Sequence, residues 1–426
     1  MMIPSGPHSC GCIGINHVRS TMNHAITPGA SAGERSWLAA LCLSRFFFNL
    51  IYMAYAAALP TLTREWGMTG TEAGFVQTCF FVGFAISLFF TSWFSDHIGA
   101  NRIFLTFCWL AAVTALLFAL YARSYSQALW LFALVGFSQG GTYIPAIMLV
   151  SQKLPSERRG WGVGWVLASM SAGYVGSISL ATGFTATHGY QVALLVCAVG
   201  SVLGAIFGTS AARRSANVVS NAAEESRAWS VLFRDRRSLL LTVGYIGHSW
   251  ELFGVWAWAP AFLIVSLGER FVLGAVGLGI VIAIVLHLSG FVSSFTMGRV
   301  SDRFRRRIIL IVMAAIGTAC SFGFGWSGAL PATLLLLFAA LYGFTAIGDS
   351  AVLSTAMTES VPPEVLGRAL AVRSILGIGV GALAPFAFGS VLDVFEPGQD
   401  WGWAFITLGL GGAIATFCAV LLAKDS

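Results

Sequence analysis

Charge is scarce in this chain. Of 426 residues only 10% are Asp, Glu, Lys or Arg, while 57% are apolar, against roughly 25% and about 45–50% in soluble domains, which excludes a soluble globular protein. The 24 Lys and Arg outnumber the 18 Asp and Glu, a formal charge of +6. These charges sit between apolar runs rather than on one basic face, so nucleic acid is excluded as a partner. Cysteine is sparse as well: there are eight, and Cys42, Cys79, Cys108, Cys197, Cys320 and Cys418 fall one each in separate apolar runs. That excludes a secreted-type disulfide framework and predicts no structural disulfides. Period-2 alternation is missing, which excludes a barrel. No Gly-x-x-x-x-Gly-Lys-(Ser/Thr) loop is present, so ATP is not the energy source. The absence of a Gly-x-Ser-x-Gly elbow, and of intramembrane His/Asp clusters at metal spacing, argues against a membrane enzyme and predicts no cofactor.

What is abundant is apolar sequence in runs of the length a bilayer needs, roughly 20 residues for a core of about 30 Å. Twelve such runs are predicted as spans, at 37–60, 71–94, 103–122, 128–152, 160–184, 190–209, 239–265, 273–297, 308–326, 331–357, 367–392 and 402–423. The fold class is therefore an all-α integral membrane protein. Nineteen Lys and Arg lie on one side of these spans and three (Arg64, Arg123, Arg270) on the other. The excess predicts that both termini are cytoplasmic, in a multi-pass protein of the plasma (inner) membrane. Residues 1–36 lack the apolar core and cleavage site of a signal peptide and are expected to be a disordered tail. Met22 opens a shorter, equally plausible start. His8, Cys10, Cys12 and His17 resemble ligands for a soft metal, but a disordered tail offers nothing to orient them, so no metal site is expected.

The loop 210–238 divides the spans six and six, giving halves 37–209 and 239–424 and a cytoplasmic linker between them. Two loop signatures repeat across that division. Ser92-Trp-Phe-Ser-Asp96-His-Ile-Gly99-Ala-Asn-Arg102 follows span 2, and Gly298-Arg-Val-Ser-Asp302-Arg-Phe-Arg-Arg-Arg307 follows span 8, with the two Asp 206 positions apart. Pro155-Ser-Glu157-Arg-Arg-Gly160 after span 4 returns as Pro362-Pro-Glu364-Val-Leu-Gly367 after span 10, 207 positions on. The chain is a duplicated six-span unit.

These loops resemble the major facilitator superfamily, whose loop between spans 2 and 3 reads Gly-x-x-x-Asp-(Arg/Lys)-x-Gly-(Arg/Lys)-(Arg/Lys) and recurs between spans 8 and 9. The second copy keeps Gly298, Asp302 and Arg303; the first keeps Asp96 and Gly99 but has Ser92, His97, Ala100 and Asn101 where Gly and cations are usual. The resemblance covers about residues 37 to 424 and implies twelve helices in two pseudo-symmetric halves that work by alternating access. It also implies that Asp96 against span 11 and Asp302 against span 5 form an interdomain latch, made when the cytoplasmic side is shut. An Asp facing a helix N-terminus is suited to that role. Small residues at four-residue spacing, Gly160, Gly164, Ala168, Ala172 and Gly176 in span 5 and Gly377, Gly381, Pro385 and Gly389 in span 11, suit close packing. In the family these helices meet spans 8 and 2.

Charge inside a membrane is costly and marks function by default. Arg45, Glu251, Asp349 and Arg373 lie within spans. Helical spacing groups Arg45, Asn49 and Tyr52 on span 1, Gln139, Thr142 and Tyr143 on span 4, His248, Glu251 and Trp258 on span 7, and Tyr342, Thr345 and Asp349 on span 10. The resemblance implies that these four helices line a central cavity. Arg45, Asn49, Tyr52, Gln139, Tyr143, Trp258 and Tyr342 are accordingly expected at the solute site, and His248, Glu251 and Asp349 in proton coupling. The 206 offset maps Arg45 onto Glu251, so the two either serve solute and proton or form a fixed ion pair across the halves. Arg373 is expected to pair with Asp349 or a phosphate. The expected function is proton-coupled uptake of a small organic anion by a monomer, with solute, protons and the bilayer as partners. Export of a drug or metabolite is the alternative, and a non-transporting sensor or assembly protein the alternative of another class.

Overall fold

The computed structural model describes residues 32–219, 235–268, 270–271, 274–361, 363–395 and 400–424. Residues 1–31 of the expected tail, with its metal-like residues and the start at Met22, and most of the linker lie outside the described residues; residues 32–36, expected to be disordered, are instead the first turn of the span 1 helix. Residues 1–36 and 37–426 are separate compact units, and of the first only the opening turn of the helix Ala32–Phe48 is described. Among the described residues all regular structure is helical, and eleven helices are long and apolar enough to cross a membrane.

The twelfth crossing is span 1, and it is broken. Helix Ala32–Phe48 stops and Ala54–Trp66 begins, with residues 49–53 in tight turns closed by i→i+3 bonds such as Asn49 N to Phe46 O and Tyr52 N to Asn49 O. A break inside a bilayer is tolerated only where protein groups satisfy the freed carbonyls. Here Gln139 Nε2 of span 4 donates to Phe48 O at 2.9 Å, and Ser177 Oγ of span 5 donates to Leu50 O. Gly173 allows the close approach of span 5, since a Cβ there would lie 2.5 Å from Phe46 O. Span 8 carries a π-turn at Ile284–Leu288, and span 11 is split into Pro363–Gly381 and Ala384–Leu392, with Pro385 opening the second piece.

Apolar packing differs between the two ends of the molecule. At the Arg-poor end one continuous cluster joins both halves, running from Tyr52, Phe81 and Tyr174 to Phe253, Leu286 and Phe388. Towards the Arg-rich end the packing divides in two, one cluster around Trp37, Phe104 and Val166 in the first half and one around Leu241, Leu310 and Met357 in the second. Span 2 packs on the short second helix of span 11, and span 5 on the first helix of span 8. The seam is close because it is built from small residues: a Cβ at Gly74 would meet Pro385 O, one at Gly389 would meet Gly70 O, and one at Gly279 would lie 2.8 Å from Thr182. The span 5 stripe does not pack along its whole length as expected. Gly160 and Gly164 face open space, because the halves separate at that end. Among the described residues of the unit 37–426, the two halves meet at the Arg-poor end and part at the Arg-rich end.

Candidate solute site and gates

The first candidate residues sit at the break in span 1: Arg45 in the last turn of the helix before it, Asn49 and Tyr52 in the break itself, all buried. Arg45 is fully buried, and its guanidinium donates to Thr142 Oγ1 of span 4 and lies 6.0 Å from the centre of the Tyr143 ring. Asn49 Nδ2 donates to Arg45 O at 2.6 Å, fixing the last turn before the break. No carboxylate pairs with Arg45 among the described residues. Arg45 Nε, Asn49 Oδ1 and Gln139 Oε1 are all buried without hydrogen-bond partners. An unpaired charge at the centre of a membrane helix costs roughly 2.5–3.5 kcal/mol, so this cluster retains an unused capacity for an anion.

Glu251 does not face Arg45, which removes the ion pair entertained from the 206 offset. Its Oε1 accepts from Ser321 Oγ of span 9 at 2.6 Å, and Ser321 Oγ in turn meets Tyr342 Oη at 2.5 Å. Gly317 of span 9 and Gly412 of span 12 leave room for the carboxylate, since a Cβ at Gly412 would lie 2.8 Å from Glu251 Oε2. The stripe containing Glu251 therefore points into the second half itself. Trp258, seven residues on and on the same face, follows it inward: its indole N–H donates to Pro385 O at 3.0 Å, and its ring stacks on Phe388 at 5.0 Å. Tyr342 sits beside Glu251 rather than Arg45. His248 pairs instead with Asp349, Nδ1 to Oδ1 at 2.8 Å, an ion-pair contact off the hydrogen-bond axis, and its Nε2 meets Ser350 Oγ at 2.6 Å. That pairing takes Asp349 from Arg373, whose guanidinium donates to Leu353 O and Ser354 Oγ and lies 4.2 Å from the Tyr245 ring centre.

Of the residues that face across the halves, Tyr52 was expected at the solute site from the sequence, whereas Tyr174, Phe253 and His287 were not singled out there. Tyr52 of span 1 lies 5.0 Å from Tyr174 of span 5 and 6.3 Å from Trp256 of span 7, ring centre to ring centre. Tyr174 and Trp256 lie 5.5 Å apart, and His287 of the π-turn lies 5.4 and 6.0 Å from them. Phe253 stacks on Phe81 of span 2 at 4.5 Å. Phe253 and Trp256 project about 140–200° from the Glu251 stripe at about 100° per residue, which is why they meet the other half. Arg45 lies 6.0 Å from the Tyr143 ring centre, and Gly173, the neighbour of Tyr174, abuts Phe46 and Asn49 in the turn that follows Arg45, so this aromatic wall adjoins the unpaired guanidinium.

The sequence profile of the Major Facilitator Superfamily matches residues 41–293 and 287–426. The chain belongs to the major facilitator superfamily. It is 28% identical to the protein of Cupriavidus pinatubonensis named "Probable 4-methylmuconolactone transporter", over 87% of this chain and 83% of that one. It is 26% identical to the "Cis,cis-muconate transport protein" of Acinetobacter baylyi, over 88% and 91%. Its fold matches the crystal structure of a bacterial homologue of the human lysosomal transporter Spinster in an inward-facing, occupied conformation, with a TM-score of 0.76 at 14% identity over 93% and 98% of the two chains.

Within this superfamily fold the loop signatures occupy the Arg-rich end. Gly99 ends span 2 at φ 100°, a conformation that favours glycine. A Cβ there would collide with Asn217, whose Nδ2 donates to Ile98 O at 2.8 Å; the linker thus clasps the turn that carries Asp96. Arg303 is exposed, while the surroundings of Gly298 and Asp302 lie outside the described residues. A different carboxylate closes the opposite end. Asp393, just past span 11, accepts from Gly70 N at 2.6 Å, Thr71 N at 2.7 Å and Thr71 Oγ1 at 2.5 Å, the first turn of span 2. Partial burial raises the Asp393 pKa, but these hydrogen bonds outweigh it and hold the carboxyl below its ordinary value.

Proposed function

We propose that the chain carries small organic anions into the cell by proton-coupled alternating access, with Arg45 as the ligand for the solute carboxylate. The buried, unpaired guanidinium supports this reading, because its planar fork matches a carboxylate and nothing in the described protein fills that role. Muconate and methylmuconolactone, named for the two relatives, each join a carboxylate to an unsaturated carbon skeleton, and the aromatic wall beside Arg45 suits that class of solute. Asn49, Tyr52, Gln139 and Tyr143 then belong to the solute site, whereas Trp258 belongs to the frame that holds span 11. Glu251, with Ser321 and Tyr342, and the His248–Asp349 pair carry protons through the second half. Neither group touches the solute, so coupling acts through movement of span 7, which presents Trp256 on its other face.

Nineteen cations against three put the Arg-rich end in the cytoplasm, so the state described is inward-facing and both termini are cytoplasmic, in an inner membrane. A single chain contains the whole pathway, which supports a monomer. Asp96, Gly99, Gly298, Asp302 and Arg303 form the latch of the opposite state, when the cytoplasmic ends meet. In proteoliposomes, labelled cis,cis-muconate is expected to accumulate under an inside-alkaline pH gradient. Glu251→Gln abolishes accumulation but leaves exchange, and Arg45→Gln abolishes both. A wild-type protein that accumulates no unsaturated carboxylate under any pH gradient refutes the reading.

A further inference from the structure

His287 is an intramembrane ionisable group with no part in the mechanism above. It is 2% exposed, and its Nε2 is buried without a hydrogen-bond partner. A buried imidazole nitrogen ordinarily finds one. The residue sits in the π-turn Ile284–Leu288, a local winding found mostly at functional sites. The turn is accommodated by span 10, where Gly343 lies against it and a Cβ would be 2.5 Å from Leu286 O. Ser289 Oγ donates to the carbonyls of Val285 and Leu286. The turn thus has side-chain support for its backbone, while the Nε2 it presents has no partner.

Close contacts lead from the Arg45 turn to that side chain. Asn49, one helical turn after Arg45, abuts Gly173, the neighbour of Tyr174, and Tyr52 lies 5.0 Å from Tyr174; Tyr174 of the first half and Trp256 of the second stand 5.4 and 6.0 Å from the His287 ring. An unfilled cation in one half and an unfilled imidazole nitrogen in the other are therefore separated by flat aromatic faces.

We infer that His287 is the second solute ligand: its Nε2–H donates to an oxygen at the far end of a planar unsaturated anion whose carboxylate is held by Arg45, with Tyr174 and Trp256 against the conjugated skeleton. This rests on the anion reading of Arg45 and adds selectivity for solutes polar at both ends. It also gives the solute a contact to each half, which is what alternating access needs to couple binding to closure.

Two dienoates of one skeleton separate the cases. trans,trans-Muconate has a carboxylate at each end, and sorbate has a methyl group in place of the second. With the purified full chain, muconate is expected to bind about tenfold or more tighter than sorbate, the effect of leaving a buried donor unpaired. His287→Phe should bring muconate down to the sorbate level without altering sorbate, His287→Asn should retain part of the preference, and Arg45→Gln should weaken both. Acylation of His287 by diethyl pyrocarbonate in the unmutated protein, read by peptide mass spectrometry, should be blocked by muconate at about tenfold lower concentration than by sorbate; this arm does not depend on a variant folding, and a His287 that the reagent never reaches overturns the site. An unchanged muconate-to-sorbate ratio in His287→Phe, or equal protection by both, overturns the role of His287 while leaving Arg45 as the anion ligand. A wild-type protein that binds neither dienoate overturns both.

Discussion

Replacing Asp393 with Asn should open the Arg-poor end. The carboxylate receives three hydrogen bonds from the first turn of span 2 and faces the positive end of that helix dipole. A charge at a helix terminus contributes about 0.3–1 kcal/mol. Charge-assisted hydrogen bonds add to this, and solvent screening at an exposed residue subtracts. Asn keeps one acceptor oxygen and loses the charge, so the closed state should lose about 1 kcal/mol relative to the open one, a roughly fivefold change in their ratio. Spin labels at Tyr121 and Val394, both exposed, would report it as growth of the long-distance population in double electron–electron resonance. The pH dependence follows from the sign of the shift. A carboxyl held below its ordinary value of 3.8 contributes in full above that value, and the contribution fades only as pH falls through the lowered one. The contact should therefore be constant between pH 5 and 8, and Asp393→Asn should keep the pH profile of transport. An unchanged distance distribution, or a pH profile that disappears with Asp393, would refute the reasoning.

Two further outcomes follow from the seam and the loops. Gly74→Ala places a methyl group against Pro385 O of span 11, with backbone on both sides; it should hold the Arg-poor end apart, as labels at the same two sites would show, and abolish turnover while the protein remains monodisperse. Asp302→Asn and, less severely, Asp96→Asn should slow transport with expression unchanged. Cysteine pairs across the Arg-rich ends of spans 2 and 11 should cross-link less in the Asp96 variant if each Asp serves the proposed latch.

The twelve crossings and their duplication were legible because run length, charge sidedness and two repeated loops are one-dimensional signals. The break in span 1 was not. Residues 49–53 contain neither Gly nor Pro, and the groups that make the break tolerable, Gln139 and Ser177, come from spans 4 and 5. Helical spacing correctly put Glu251 and Trp258 on one face, but spacing cannot say which face meets the other half; Ser321 and Pro385 decided that. His287 carried a readable signal, an ionisable residue in an apolar run. Its importance depends on Tyr174 and Trp256, which only the packing brings to it. Asp393 carried none, because its partners are the backbone N–H groups of a distant helix.

The direct test of Arg45 as an unpaired anion ligand is a double-mutant cycle of Arg45→Gln with Glu251→Gln, scored on detergent stability and on muconate affinity. Because the two side chains belong to separate networks, their stability effects should add to within about 0.5 kcal/mol. Affinity should be lost in every variant lacking Arg45. Recovery of both stability and affinity in the double variant would mean that Arg45 and Glu251 neutralise each other, and would contradict the anion site.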